Sequence, residues 1–111
     1  MLSISILEES PHHIIQVKGE IDASNSVQLD ESIRSLAEKG AQSILVDGSE
    51  LEYISSAGLG VFMSYLEEFQ EKGIQLKIFS LSPKVFEVFR ILGLDQLISI
   101  LSTKEEAIQE S

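Results

Sequence analysis

The chain has 111 residues, 43% of them apolar, with 18 acidic side chains against 8 basic ones and no cysteine. That length suits one domain around one core, and the apolar share excludes a disordered chain. A net charge of −10 repels nucleic acid and anionic lipid, and the lack of cysteine excludes disulfides, thiol nucleophiles and thiolate metal sites.

Membrane insertion is not expected, because no apolar run reaches the length of a span. "MLSISILEES" has no basic leading region, so no signal peptide is expected and a cytoplasmic location follows as the working assumption. "LSISIL" alternates through Leu2, Ile4 and Ile6. "EESPHH" supplies a turn, and "HIIQVKG" sets His13, Ile15 and Val17 on one face against Ile14, Gln16 and Lys18 on the other. Two short runs around a turn predict a hairpin. His12 and His13 then face opposite sides and cannot share a metal ion.

"GEIDASN" is a polar connection, after which Leu29, Ile33, Leu36 and Ala37 mark one stripe of a helix. Asn25 is the expected N-cap with Gln28 three residues on, and Gly40 fits the position past the end. "QSILVDGS" carries the unbroken apolar run Ile44 to Val46, which predicts a central strand buried on both faces. In "GLGVFMSYLEEFQEKG", Leu59, Phe62, Met63, Leu66 and Phe69 form a second helical stripe, with Phe62, Met63 and Leu66 read as core and Gly60 and Ser64 nearer the outer face. Gly73 ends that helix. Ile74, Leu76 and Ile78 then face one way along a strand. "SPKVFEVFRILG" predicts a third helix with Ser82 as cap, Pro83 in the first turn and Gly93 past the end. A last strand starts at Leu97. "STKEEAIQE" predicts a short terminal helix with Ser102 and Glu105 as a capping box. The order β-β-α-β-α-β-α-β-α predicts an α/β fold with a mixed sheet, as one domain over residues 1–111.

Between the central strand and the second helix lies "YISSAGLG", residues 53–60. The first N–H groups of a helix lack internal partners, and the dipole there favours negative charge. One serine suffices as a cap. The second hydroxyl is left beside free N–H groups, where a phosphoryl group would add roughly −1.5 to −2 charge and be stabilised by the helix end. Gly58 and Gly60 each cost up to ~1 kcal/mol relative to alanine inside a helix. They imply a close approach to this backbone by another part of the chain, a partner protein or a phosphate donor. Enzyme signatures are missing: there is no G-x-S-x-G, no Walker A loop and no G-x-G-x-x-G. Glu20 and Asp22 read as a solvated polar turn. No catalytic residue, cofactor or metal site is expected.

"VDGSELEYISSAGLGVF" resembles the signature of STAS domains, and specifically that of bacterial anti-sigma factor antagonists. "VKGEIDASNSVQLDESI" and "LSPKVFEVFRILGLDQLI" resemble the family's flanking blocks, in the right order over almost the whole chain. The resemblance implies the STAS α/β fold and a non-enzymatic protein that binds an anti-sigma factor and so frees a sigma factor. The anti-sigma factor would be a serine kinase of the histidine-kinase-like ATPase fold. It would phosphorylate Ser56 and end binding, and a serine phosphatase would restore it. In the best-known members an aspartate precedes the modified serine. Ser55 stands there in this chain, which makes it the second candidate acceptor. Asp22 resembles an acidic residue near that serine, repelling phosphate or orienting the hydroxyl. The partner surface implied comprises Asp22, Ser55, Ser56, Ala57, Gly58, Gly60 and Ser64. The alternatives are a STAS accessory subunit of a membrane transport complex, which needs no phosphate switch, and a small hydrolase using Ser56.

Overall fold

The structure, a computed structural model, describes residues 1–109. Five strands lie in the order β1 (Ser3–Glu9), β2 (His12–Ile21), β3 (Ser43–Ile54), β4 (Gln75–Phe79), β5 (Ser99–Leu101). The leading hairpin makes β1 antiparallel to β2, and every later pairing is parallel. Between the parallel strands run α1 (Ser26–Glu38), α2 (Ser56–Lys72) and α3 (Pro83–Ile91), and α4 (Lys104–Gln109) follows β5. This is the mixed α/β architecture that the element order predicts. The part of the expectation that falls on residues 110–111, including Glu110 at the end of the terminal helix, lies outside the described residues.

The core follows from side-chain period. In β2, Ile15, Val17 and Ile21 point toward the helices. They join Ile44, Val46 and Ile54 of β3 and the stripes of α1, α2 and α3 in one cluster. Ile14, Leu45 and Phe79 point the other way and pack under Ala107 of α4 in a second, smaller cluster. Ile44, Leu45 and Val46 are all buried, as expected of a central strand covered on both faces. The alternation sets Ile74, Leu76 and Ile78 facing one way. Both faces of β4 are buried, because α4 covers Lys77 and Phe79 while Ile78 meets the larger core.

Helix ends match the glycine signals. Gly40, Gly73 and Gly93 all have positive φ (92°, 71° and 76°) just past the ends of α1, α2 and α3. Ser82 caps α3, accepting from the Val85 amide at 3.2 Å, with Pro83 at the first helical position. Four details differ from expectation. Met63 is 50% exposed, and Tyr65 takes its place in the α2 stripe, because the tyrosine hydroxyl finds Asp30 on α1 (2.6 Å to Oδ1). Ile6 lies at the open edge of β1 and is exposed. The last strand begins at Ser99, since Leu97 closes a 3₁₀ turn over Leu94–Gln96. The final capping box is Thr103 with Glu106, one residue later than Ser102 with Glu105: the Glu106 amide donates to Thr103 Oγ1 at 3.1 Å, and Glu106 Oε1 accepts from the Thr103 amide at 3.2 Å.

Candidate functional site

β3 runs past β4. Its residues Glu50–Ile54 pair only with Lys18–Ile21 of β2, so two strands carry the backbone to one end of the sheet. There the carboxyl ends of β2 and β3 release the turn Asp22–Asn25 and the start of α2. Binding sites of open parallel sheets gather outside such strand ends. The two segments are tied directly: the Ser55 amide donates to the Ile21 carbonyl at 2.9 Å.

The two serines have different roles. Ser55 is the N-cap, with extended backbone (φ −90°, ψ 174°), and its Oγ accepts from the Gly58 amide at 3.5 Å. Ser56 is the first helical residue. It is exposed, and its hydroxyl makes no hydrogen bond among the described residues. Successive turns of α2 carry the exposed residues Gly60, Met63, Ser64 and Glu67 along the same outward face. The Ser64 hydroxyl donates to the Val61 carbonyl at 2.6 Å. Ala57 is half-buried.

The two glycines also separate. A Cβ on Gly58 would sit 2.7 Å from both Ile21 Cγ2 and Ile54 Cγ1, so the close approach at this position comes from the chain's own core. Gly58 lies beneath the outward surface. Around Gly60 a Cβ would meet nothing within 4 Å, leaving that backbone open to solvent.

Asp22 stands across the strand ends and directs its carboxylate to its own turn. Its Oδ1 accepts from the Ser24 hydroxyl at 2.6 Å and from the Ser24 amide at 2.9 Å. Those donors, the hydroxyl foremost, hold its carboxyl below the usual carboxylate value. No hydrogen bond joins Asp22 to Ser55 or Ser56. Asn25 occupies the expected cap position of α1 but does not cap it. Its Oδ1 instead accepts from the Asp22 amide at 2.8 Å, and its Nδ2 donates to the Glu20 carbonyl at 3.0 Å. Sequence alone reads asparagine before a helix as a cap, and only the position of the Glu20 carbonyl reveals the other use. Exposed Met63 and Tyr53 also flank the site, and neither carries a sequence signal for that role.

Among the described residues no group of three or more histidine, cysteine or acidic side chains is placed to hold an ion. His12 and His13 point apart, His12 Nδ1 lying 2.8 Å from Ser43 Oγ and His13 Nδ1 3.8 Å from Glu8 Oε1. No helix among the described residues is long and apolar enough to cross a membrane.

A mixed sheet layered on one face by three helices is the architecture on which the chain meets a known family. The STAS domain family model matches residues 4–107, and the chain belongs to that family. Among curated proteins it is similar to the anti-sigma-B factor antagonist of Listeria monocytogenes, 34% identical over 106 residues, which span 95% of this chain and 93% of the Listeria protein. Among solved structures, an anti-sigma factor antagonist from Mycobacterium paratuberculosis superposes with a TM-score of 0.86 at 19% identity, covering 97% of this chain and 92% of that one. The anti-sigma factor antagonist SpoIIAA in its unphosphorylated form gives 0.80 at 24% identity (96% and 93% covered). The phosphorylated form, described as a Bacillus cell fate determinant, gives 0.70 at 23% (97% and 96%). At these identities the structural likenesses establish the fold.

Proposed function

We propose that this chain is an anti-sigma factor antagonist switched by phosphorylation of Ser56. The observation that carries the reading is the division of labour at the start of α2. Ser55 takes the capping bond, while Ser56 keeps a free, exposed hydroxyl at the positive end of the helix. The unmodified face made by Asp22, Ser55, Ser56, Ala57, Gly60 and Ser64, with Gly58 supporting it from below, docks the anti-sigma factor and releases the sigma factor. That partner is a serine kinase of the histidine-kinase-like ATPase fold. It moves the γ-phosphoryl group of ATP onto Ser56 Oγ: the new bond to Oγ replaces the one to the bridging oxygen, ADP leaves, and the hydroxyl proton passes to a base of the kinase or to solvent. The new dianion sits in an interface that must exclude water, and on a chain already at −10, so the complex weakens. A serine phosphatase resets the switch. The protein acts by binding rather than catalysis, in the cytoplasm, without a cofactor. The relatives named above do not favour the transporter-subunit alternative.

The test is affinity for the anti-sigma factor purified from the native host, together with phosphosite mapping. Ser56→Ala should bind as the wild type does, and Ser56→Asp should bind more weakly by at least roughly tenfold, about 1.4 kcal/mol. Equal affinity of the two variants, or phosphate found only on Ser55, overturns the assignment.

A further inference from the structure

We propose that Asn25 is the positioning residue of this site: a clamp on the end of β2 that sets where α2 begins. The proposal rests on the reading of Ser56 as the switch, and adds a residue on another element that holds that serine in place.

The geometry forms a continuous chain of bonds. Asn25 reaches back over the turn and holds both sides of Ile21, donating to the Glu20 carbonyl at 3.0 Å and accepting from the Asp22 amide at 2.8 Å. The carbonyl between those two groups, that of Ile21, accepts the Ser55 amide at 2.9 Å. The Ile21 side chain is fully buried and is one of the two that close around Gly58. A shift of the Glu20–Asp22 segment is therefore passed to the residue before Ser56 by a hydrogen bond and to the first turn of α2 by packing. Asp22, whose carboxylate faces the same end of the sheet, is fixed by the same clamp.

A residue serving only α1 would be placed differently. The cap position offers Asn25 the free amides of the first helical turn, and its side chain takes none of them. The Asp22 carbonyl accepts from the Asn25 and Ser26 amides instead, at 3.3 and 2.9 Å. The capping rule gives way here to bonds that hold the end of β2 beside the site, which is where such exceptions are expected.

Three full-length chains test this by amide hydrogen exchange and NMR: wild type, Asn25→Ala and Asn25→Asp. In the wild type the Asn25 side-chain amide protons should be protected and the Asp22 amide shifted downfield. Asn25→Ala should exchange the Ser55 amide faster by roughly tenfold or more, while the core amides of Leu45 and Ile78 hold their rates. Asn25→Asp keeps the oxygen that accepts from Asp22 and loses the donor to Glu20, so it should restore the Asp22 shift and only part of the Ser55 protection. An unchanged Ser55 amide in Asn25→Ala, or equal acceleration of all amides, overturns the clamp. The same three chains are then scored for Ser56 phosphate in the native host. A wild-type chain without phosphate sinks the switch reading and leaves the exchange result to decide the clamp.

Discussion

α2 and α3 begin with the same device and one difference. Each follows a strand, and each has a serine N-cap in extended backbone whose oxygen accepts from the amide three residues on. In α3 the next residue is Pro83 and the third is Val85, buried at 2% exposure. In α2 those positions hold Ser56 and Gly58. Proline at the first position is the choice of a helix start with no task besides starting, since it lacks only an N–H that would go unbonded. A serine there puts a hydroxyl into solvent at a positively polarised end. The contrast separates what a helix start needs from what this one adds.

Substitutions can break that contrast. The largest effect is expected from Gly58→Val, which gives α2 the third residue of α3. Its side chain would enter the space held by Ile21 and Ile54, and urea unfolding should show a loss of about 1–3 kcal/mol. Next come the caps: Ser82→Ala should cost about 1 kcal/mol, and Ser55→Ala less, roughly 0.5, because its bond is longer at 3.5 Å against 3.2 Å. Both are read from denaturation midpoints. Smaller still is the titration of the turn beside α2. Asp22 should ionise below the ordinary 3.8 by NMR, and Ser24→Ala should raise it. A depressed carboxyl stabilises the fold above its unfolded-state value, and that contribution is lost as pH falls through the folded-state value. The turn should therefore hold at neutral pH and loosen only in acid below the usual carboxylate range. The smallest effect on stability is expected from Ser56→Pro, which completes the likeness to α3. Ser55 already has the extended backbone that precedes proline and Ser56 is exposed, so stability should move by less than about 0.5 kcal/mol. Phosphate incorporation at this position should vanish.

Much of the fold was legible because its signals are local. The spacing of Leu29, Ile33 and Leu36, the Ser82–Pro83 pair and Gly93 each state a structure within a few residues. What was not legible depends on where the partners lie in the fold. Tyr65 replaces Met63 in the core because Asp30, on another helix, satisfies its hydroxyl. Thr103 and Glu106 outcompete Ser102 and Glu105 although both pairs have the same spacing, so sequence could not rank them. At the site, the serine pair is plain in the sequence, and its division into cap and free hydroxyl follows from α2 starting at Ser56. The need for Gly58 arises from Ile21 on a different strand, and the use of Asn25 from a carbonyl on that strand.

The small cluster beneath α4 has a consequence for misassociation. Ile14, Leu45 and Phe79 lie on the sheet face that α4 covers through Ala107, and Lys104 of that helix pairs with Glu9 from 95 residues away. An undocked α4 bares those three apolar side chains while the larger core, on the opposite face, can stay closed. Such a form is open to mistaken association through the bare face, and docking of one short helix closes it.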